Sequence, residues 1–341
     1  MHNKIKQGRF SIVFFAILFI FINFNIAVVK LHAAEQQPKI EQCLQDKIVQ
    51  ADNTMTVGEI RLLCQKIVND AGAKTTESNL ERRQQFQSVA WENPFVLSVH
   101  KPNYVLILAK NSETNEAPFE KQYPNEDTNL DNTEAKFQIS VKFPIALDLF
   151  ERNDDIFFAY TNRSFWQLYR TTSGPFRETN HEPELFYSLK TNWNIFGLKN
   201  KMVNMGYVHQ SNGRGGTLSR SWNRLYALFV LEKNNWVFGF KPWYRISENI
   251  EDDDNPDIED FMGNFELTGI YTKGHHTFSA MLRNNLKSTD NRGAIQIDWV
   301  FPLDRYINGY VQYFSGYGES MIDYNYDQES IGIGLALTGW L

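Results

Sequence analysis

From about Phe95 to the end of the chain, apolar and polar side chains alternate with a period of two. In "NWVFGFKPWYRI", Trp236, Phe238, Phe240, Tyr244 and Ile246 share one face, and Lys241 and Arg245 the other. In "GAIQIDWVF", Ile295, Ile297 and Trp299 alternate with Gln296 and Asp298. In "ESIGIGLALTGWL", Ile331, Ile333, Leu335 and Leu337 oppose Gly332, Gly334, Ala336 and Thr338. "HTFSAMLRNN" and "GNFELTGIY" follow the same rule less cleanly. Strands of about ten residues with one apolar face suit a membrane-crossing barrel, whereas the strands of soluble sandwiches are shorter. Connection lengths alternate as well. Asn234-Asn235 makes a tight turn, while "SENIEDDDNPDIED" and "GYGESMIDYNYDQ" are long and polar. Short turns on one rim and long loops on the other complete the pattern of an all-β, antiparallel transmembrane β-barrel of about twelve strands.

The first 90 residues read differently. Lys4, Lys6 and Arg9 precede an apolar run from Phe10 to Val29, and "LHAAEQQ" offers cleavage near Ala33 or Ala34. Residues 1–34 are therefore expected to be a signal peptide. An uncleaved anchor is the alternative, against which Asn23 and Asn25 interrupt the run. In "TVGEIRLLCQKIVNDAG", Ile60, Leu63, Ile67 and Val68 fall at helical intervals and Gly72 supplies a stop. "TTESNLERRQQFQ" has the composition of a linker. Residues 35–90 are thus expected to form a small helical module with its linker, on the periplasmic side, and residues 91–341 the barrel. Cys43 and Cys64 are the only cysteines. An even pair behind an export signal suggests one disulfide, with two buried thiols as the other possibility.

Charge and composition narrow the function. The segment to Ala34 holds four basic residues and no acidic ones, so its removal takes the net charge from −6 to −10. An acidic chain without a basic run argues against a nucleic-acid partner. No later apolar run approaches helical membrane-spanning length, yet the chain holds 26 Phe, 15 Tyr and 8 Trp, which again points to strands in a membrane.

Candidate chemistry concentrates in "GYVHQSNGRGGTLSRSWNRLYALFVLE", Gly206 to Glu232. Val203, Met205, Tyr207, His209 and Ser211 share a face. So do Ser219, Ser221, Asn223, Leu225, Ala227, Phe229 and Leu231 on the return strand. Because the apolar face of a barrel looks outward into lipid, His209, Ser211 and Asn223 are expected to point outward near the long-loop rim. A hairpin tip near Gly215-Gly216 pairs His209 with Asn223, ~5 Å apart at Cβ, with Ser211 ~7 Å along the strand. Those distances suit a nucleophile, base and orienter, in which Asn223 fixes the tautomer of His209. A neutral Asn stabilises an imidazolium less than a carboxylate does, so a further positive or dipolar group is expected at the oxyanion. A hydrolase facing lipid has lipid as its substrate. His100, His181, His275 and His276 lack such a partner and are expected to be rim or turn residues. The acidic "EDDDNPDIED" is not an EF-hand, since Asp257 and Gly263 stand where Gly and Glu are required, and a solvated loop is expected, with some calcium contact as the alternative.

"HQSNGRGGTLSRSWNRLY", "KPWYR", "DDNPDI" and "SGYGESMIDYNYDQ" closely resemble the bacterial outer-membrane phospholipase A family. "AKFQIS", "SFWQL" and "GPFRETNHEPELF" fit in order. The resemblance runs from about Trp91 to Leu341 and implies a twelve-stranded barrel with its active site on the outer wall, at the outer leaflet. It implies His209 as base, Ser211 as nucleophile and Asn223 as orienter, with the Gly213 amide as oxyanion donor. It also implies a calcium ion bound through the Arg214 carbonyl and Ser219, with a carbonyl at Ser173 from a second subunit, so that dimerisation switches the enzyme on. Three positions depart from the family pattern. Gly216 replaces an Asp of a second calcium site, of which Asp254 keeps the other half. Asn162 matches a longer Gln that links subunits. The chain ends in Trp340-Leu341 rather than an aromatic residue. The competing reading is a non-catalytic pore or lipid-transport barrel in which His209 is incidental. Twelve strands with Arg, Glu and Tyr turned inward argue instead for a plugged lumen.

Overall fold

The computed structural model describes residues 78–91, 97–171, 174–249, 251–304 and 307–338. The expected signal peptide, Cys43, Cys64, Ser173 and Trp340-Leu341 lie outside the described residues. Twelve long strands run in order: β1 Asn103–Asn111, β2 Thr133–Leu147, β3 Asp154–Trp166, β4 Phe176–Ile195, β5 Leu198–Ser211, β6 Ser221–Lys233, β7 Trp236–Ile246, β8 Phe265–Lys273, β9 His276–Asn284, β10 Gly293–Pro302, β11 Asn308–Tyr317 and β12 Asp327–Thr338. Each pairs antiparallel with its chain neighbours. The sheet then closes on itself, because β12 pairs with β1 through Ile331↔Lys110, Ile333↔Leu108 and Leu335↔Val105. Closure leaves no edge strand, the condition for a sheet to lie in lipid. A two-residue bridge, Ser98–Val99, adds to β2 opposite Lys142 and Val141.

The rims divide as the sequence predicts. At one end sit tight turns such as Phe196-Gly197, with φ of 52° and 79°, and the turn at Asn234, with φ of 54°. Gly197 and Asn234 are residue types that tolerate this left-handed region, whereas Phe196 is not. At the other end lie the loop segments 112–132, 167–171, 174–175, 212–220, 247–249, 251–264, 285–292 and 318–326, which carry the short helices α2 (Ala117–Gln122) and α3 (Ile258–Met262). The outer wall is apolar. Ile107, Ile139, Ile145, Leu185, Met205, Leu225, Tyr244, Phe278, Ile331 and Ile333 are all exposed on it.

The lumen is filled. On its wall Arg177 donates to both oxygens of Glu134 at 3.0 and 3.1 Å and to Asp323 at 2.6 Å, while Lys136 donates to Glu319 at 2.7 Å. Glu184 accepts from His100 at 3.1 Å and pairs with Lys101 at 3.2 Å, and Lys241 lies 3.7 Å away. Asp298 accepts from Ser279, Tyr310 and Gln312 at 2.9 to 3.0 Å. Loop 318–326 folds into the long-loop mouth, where Asp323 and Ile322 are fully buried. At the short-turn mouth lies helix α1 (Asn79–Trp91). Its Leu80 packs on Val230, Val237 and Ile270, and the Trp91 ring lies 4.9 Å from Phe157 across the lumen. An interior cavity of about 300 Å³ remains. The polar segment expected to be linker is therefore helical from Asn79, and the compact barrel unit starts at Ser78 rather than 91. Its polar residues meet polar lumen groups, as where Asn79 donates to Thr272 at 2.5 Å, so a composition that reads as linker in water suits a barrel interior.

Removing one member of a buried charge network strands its partners. Glu134→Ala is expected to destabilise the barrel by about 3–5 kcal/mol. Lys287→Ala removes a half-exposed pair with Asp260 and is expected to cost at most about 1 kcal/mol. Guanidinium unfolding in detergent micelles measures both, and equal midpoints would show that the lumen network does not hold the wall.

Candidate active site

Parity puts a polar patch where lipid should be. On β5 and β6, Val208 and Trp222 are fully buried on the lumen side, whereas Met205, Tyr207 and Leu225 are exposed on the outer wall. His209 and Ser211 follow Tyr207 on that wall, and Asn223 follows Leu225. The register is the expected one, His209↔Asn223 and Ser211↔Ser221.

The hydrogen bonds define the His209 tautomer. Asn223 donates its amide Nδ2 to Glu248 at 2.8 Å, which turns its Oδ1 toward the imidazole. That oxygen accepts from His209 Nδ1 at 2.9 Å and from the Tyr207 hydroxyl at 2.5 Å. With Nδ1 protonated, Nε2 keeps its lone pair and is the basic atom. Ser211 stands two residues on, on the same face. Among the described residues its hydroxyl makes no hydrogen bond to His209, as is common before a substrate tightens a catalytic contact.

Loop 212–220 is braced by Asn212, whose Oδ1 accepts from the amides of Arg214 and Arg220 at 3.2 and 3.0 Å and whose Nδ2 donates to Leu218 O at 2.8 Å. Gly213 takes φ of 63°, a conformation that needs glycine. The Arg214 guanidinium donates to the carbonyls of Phe176 and Arg177 at 2.8 and 2.6 Å, tying the loop to β4. Leu218 packs with Phe119 and Ile322. Gly216 has φ of 64°, and a Cβ there would lie 2.8 Å from Gln122 Oε1. A side chain there would require Gln122 to move, and as a glycine the position supplies no carboxylate.

Ser219 donates to Asp254 Oδ2 at 2.5 Å. Asp253 is held by Arg245 at 2.7 Å through both oxygens, and Asn255 Oδ1 accepts from the Ser221 amide at 2.9 Å. The acidic loop is thus anchored rather than freely solvated. Burial pushes the Tyr324 phenol above its usual range, and its hydrogen bond to Asp257 at 2.6 Å acts the same way. No group of three or more His, Cys, Asp or Glu residues capable of holding a metal occurs among the described residues. A cation here would draw on the Arg214 carbonyl, the Ser219 hydroxyl and the Asp254 carboxylate. These hard oxygens fit calcium rather than zinc, and they leave a calcium shell incomplete without further oxygens.

His181 departs from its expectation in having partners. It lies on β4 near the long-loop rim, directly opposite Ser211. Its Nδ1 is hydrogen-bonded with the Tyr160 hydroxyl at 2.6 Å and faces Asn162 Nδ2 at 3.4 Å. Asn162 therefore sits on the outer wall beside the site. Sequence reasoning also missed Asn212, Asn255 and Glu248. The Asn-Gly and Asn-Pro dipeptides signal turns that hold the first two, while nothing local marks Glu248.

Fold and site together define an integral outer-membrane β-barrel with a polar site opening sideways to lipid. The family model described as Phospholipase A1 matches residues 80–337, and the chain belongs to that family of enzymes, the outer membrane phospholipases A. Phospholipase A1 of Klebsiella pneumoniae is 38% identical over 247 residues, covering 72% of this chain and 84% of the relative. The Escherichia coli outer membrane phospholipase A superposes with a TM-score of 0.68 at 37% identity, covering 73% of this chain and 95% of that one. A Salmonella typhi outer membrane phospholipase, a dimer with bound calcium, superposes with the same score and identity, over 74% and 96%.

Glu248→Ala frees the Asn223 amide to rotate. Turnover is expected to fall about tenfold, the worth of one charge-assisted hydrogen bond, with the unfolding midpoint unchanged. Glu248→Gln keeps an acceptor and should retain most of the activity. Full turnover in the Ala variant would remove Glu248 from the site.

Proposed function

We propose that this chain is a calcium-dependent outer-membrane phospholipase, active as a homodimer, that hydrolyses phospholipid acyl esters of the A1, A2 and lysophospholipid types. The observation that carries the reading is the His209–Asn223 hydrogen bond of 2.9 Å beside Ser211 on the lipid-facing wall. Substrate reaches that wall from the lipid alongside it.

Ser211 Oγ attacks the ester carbonyl carbon while His209 Nε2 takes its proton. The carbonyl oxygen becomes an oxyanion beside the Gly213 amide. His209 then protonates the leaving alkoxide, the C–O bond breaks, and a lysophospholipid departs. Water, deprotonated by His209, attacks the acyl-enzyme in turn; the fatty acid leaves and Ser211 recovers its proton. Asn223 holds His209 in the productive tautomer throughout, and Glu248 holds Asn223. Calcium, when bound, supplies positive charge that favours the developing oxyanion. The Arg214 carbonyl and Ser219 would hold it, completed by Ser173 of the partner subunit. Asp254 lies beside Ser219, but without a carboxylate at Gly216 a second ion has little to bind it.

The family membership and the calcium-bound dimer of the Salmonella typhi relative support this reading. The long-loop rim, near which the site lies, faces outward in such barrels, which puts the site at the outer leaflet. A pore is disfavoured by the lumen, stoppered by α1 at one mouth and by loop 318–326 at the other.

Refolded protein in phospholipid mixed micelles tests the proposal. Ser211→Ala is expected to lose activity by at least about 10³-fold, and a calcium chelator to abolish wild-type turnover. Full calcium-dependent activity in Ser211→Ala would refute the mechanism. Chemical cross-linking should yield more dimer with calcium than with chelator; equal yields alongside calcium-dependent turnover would remove dimerisation as the switch.

A further inference from the structure

Ser211 has two imidazole neighbours on the outer wall. His209 precedes it on β5, and His181 faces it from β4. The tautomer of His181 follows from its partners. Ser164 donates to Asn162 Oδ1 at 3.1 Å, which leaves the Asn162 amide Nδ2 turned to His181 Nδ1 at 3.4 Å. The Tyr160 hydroxyl reaches the same Nδ1 at 2.6 Å, its ring stacked on the imidazole with centroids 6.2 Å apart. An amide nitrogen can only donate, so the Asn162 contact makes Nδ1 an acceptor; the Tyr160 hydroxyl, able to play either role, then donates, and the neutral ring carries its proton on Nε2. Nε2 makes no hydrogen bond among the described residues. That edge of the ring faces the active-site loop: a Cβ built on Gly213 would lie 3.6 Å from His181 Cδ2 and 3.7 Å from Nε2.

A free N–H therefore lies beside the loop glycine, on the residue that faces the nucleophile in register. An ester oxygen drawn toward the Gly213 amide by attack from Ser211 comes within its reach. We propose that His181 is a second oxyanion donor: its neutral Nε2–H hydrogen-bonds the carbonyl oxygen as negative charge develops there. The inference rests on Ser211 being the nucleophile. The proton stays on His181 throughout, and the oxyanion collapses when the leaving alkoxide departs with the proton from His209. A neutral Asn in the orienting position leaves more transition-state charge to be stabilised elsewhere, and a dipolar donor at the oxyanion meets that need. Ser164, Asn162 and Tyr160 are then positioning residues that hold the tautomer.

The test uses full-length refolded enzyme with calcium and dioleoyl phosphatidylcholine in mixed micelles. His181→Phe keeps the ring and its stacking but removes the donor; kcat is expected to fall about 10–100-fold, with KM changed less than about twofold. His181→Gln carries an N–H at the same distance along the side chain and should recover turnover to within about fivefold of wild type. Tyr160→Phe frees Nδ1 and should lower kcat by about threefold in the wild-type background, with no further loss beside His181→Phe. These two milder variants keep the proposal testable where His181→Phe refolds poorly. Unchanged kcat in His181→Phe overturns the inference. So does a loss that covalent cross-linking of the dimer restores in full, since that marks a role in the subunit interface. If Ser211→Ala stays active, the nucleophile assignment fails and this inference with it; if Ser211→Ala is dead and His181→Phe is normal, only the inference fails.

Discussion

A sheet in lipid must satisfy every backbone hydrogen bond internally, and the β12–β1 pairing that closes this barrel meets that demand. The rest of the structure follows from closure. Once the ladder is a ring, each residue has only two directions to point, and period-two alternation becomes a sorting rule between lipid and lumen. The apolar half needs no further partners. The polar half faces inward, so it pairs internally, and Arg177, Glu134 and Lys136 of the wall bind Asp323 and Glu319 of loop 318–326, far away in sequence. The lumen thereby becomes a packed polar core and not a channel.

The same rule makes the site conspicuous. Tyr160, Asn162, His181, His209, Ser211 and Asn223 lie on the lipid side of β3 to β6, where alternation calls for Leu or Ile. Each has a polar partner on the wall or in the loops except Ser211, whose hydroxyl stays free among the described residues. Such a patch survives because the strands emerge there from the apolar belt toward the long-loop rim. Asn212, Gln122, Asn255 and the Arg214 guanidinium then anchor the loop above it. A rigid wall carries the reacting side chains, and hydrogen-bonded loops carry the backbone groups around them.

What was legible in the sequence is what alternation and local turns control. The β5–β6 register was readable because loop 212–220 is symmetric about Gly216, which sets His209 against Asn223. The β4–β5 register was not. Counting back from the tight turn at Ile195↔Leu198 pairs Ser211 with Glu182, but an irregularity between Lys190 and Trp193 shifts the pairing by one and brings His181 there instead. One extra residue in a strand exchanges a lumen residue for an outer-wall one. Glu248 and α1 were missed for a different reason. Their partners are long-range, and their polar character carries no sign of whether water or a polar lumen surrounds them.

The orienting residue shows how the surroundings select the chemistry. A carboxylate beside His209 would put a full charge on a lipid-facing wall, where desolvation is costly. Asn223 puts no charge beside His209, and the carboxylate of Glu248 sits one hydrogen bond further out in the loop. Neutrality lowers the cost of facing lipid and at the same time weakens support for the imidazolium and the oxyanion. On the proposed mechanism that deficit must be met during turnover by groups aimed at the oxyanion, the Gly213 amide and the His181 N–H, together with a cation that assembles only when a partner completes its shell. On that proposal an idle monomer among intact phospholipids is a poor catalyst, and activation by an added positive charge follows from having an amide rather than a carboxylate beside His209.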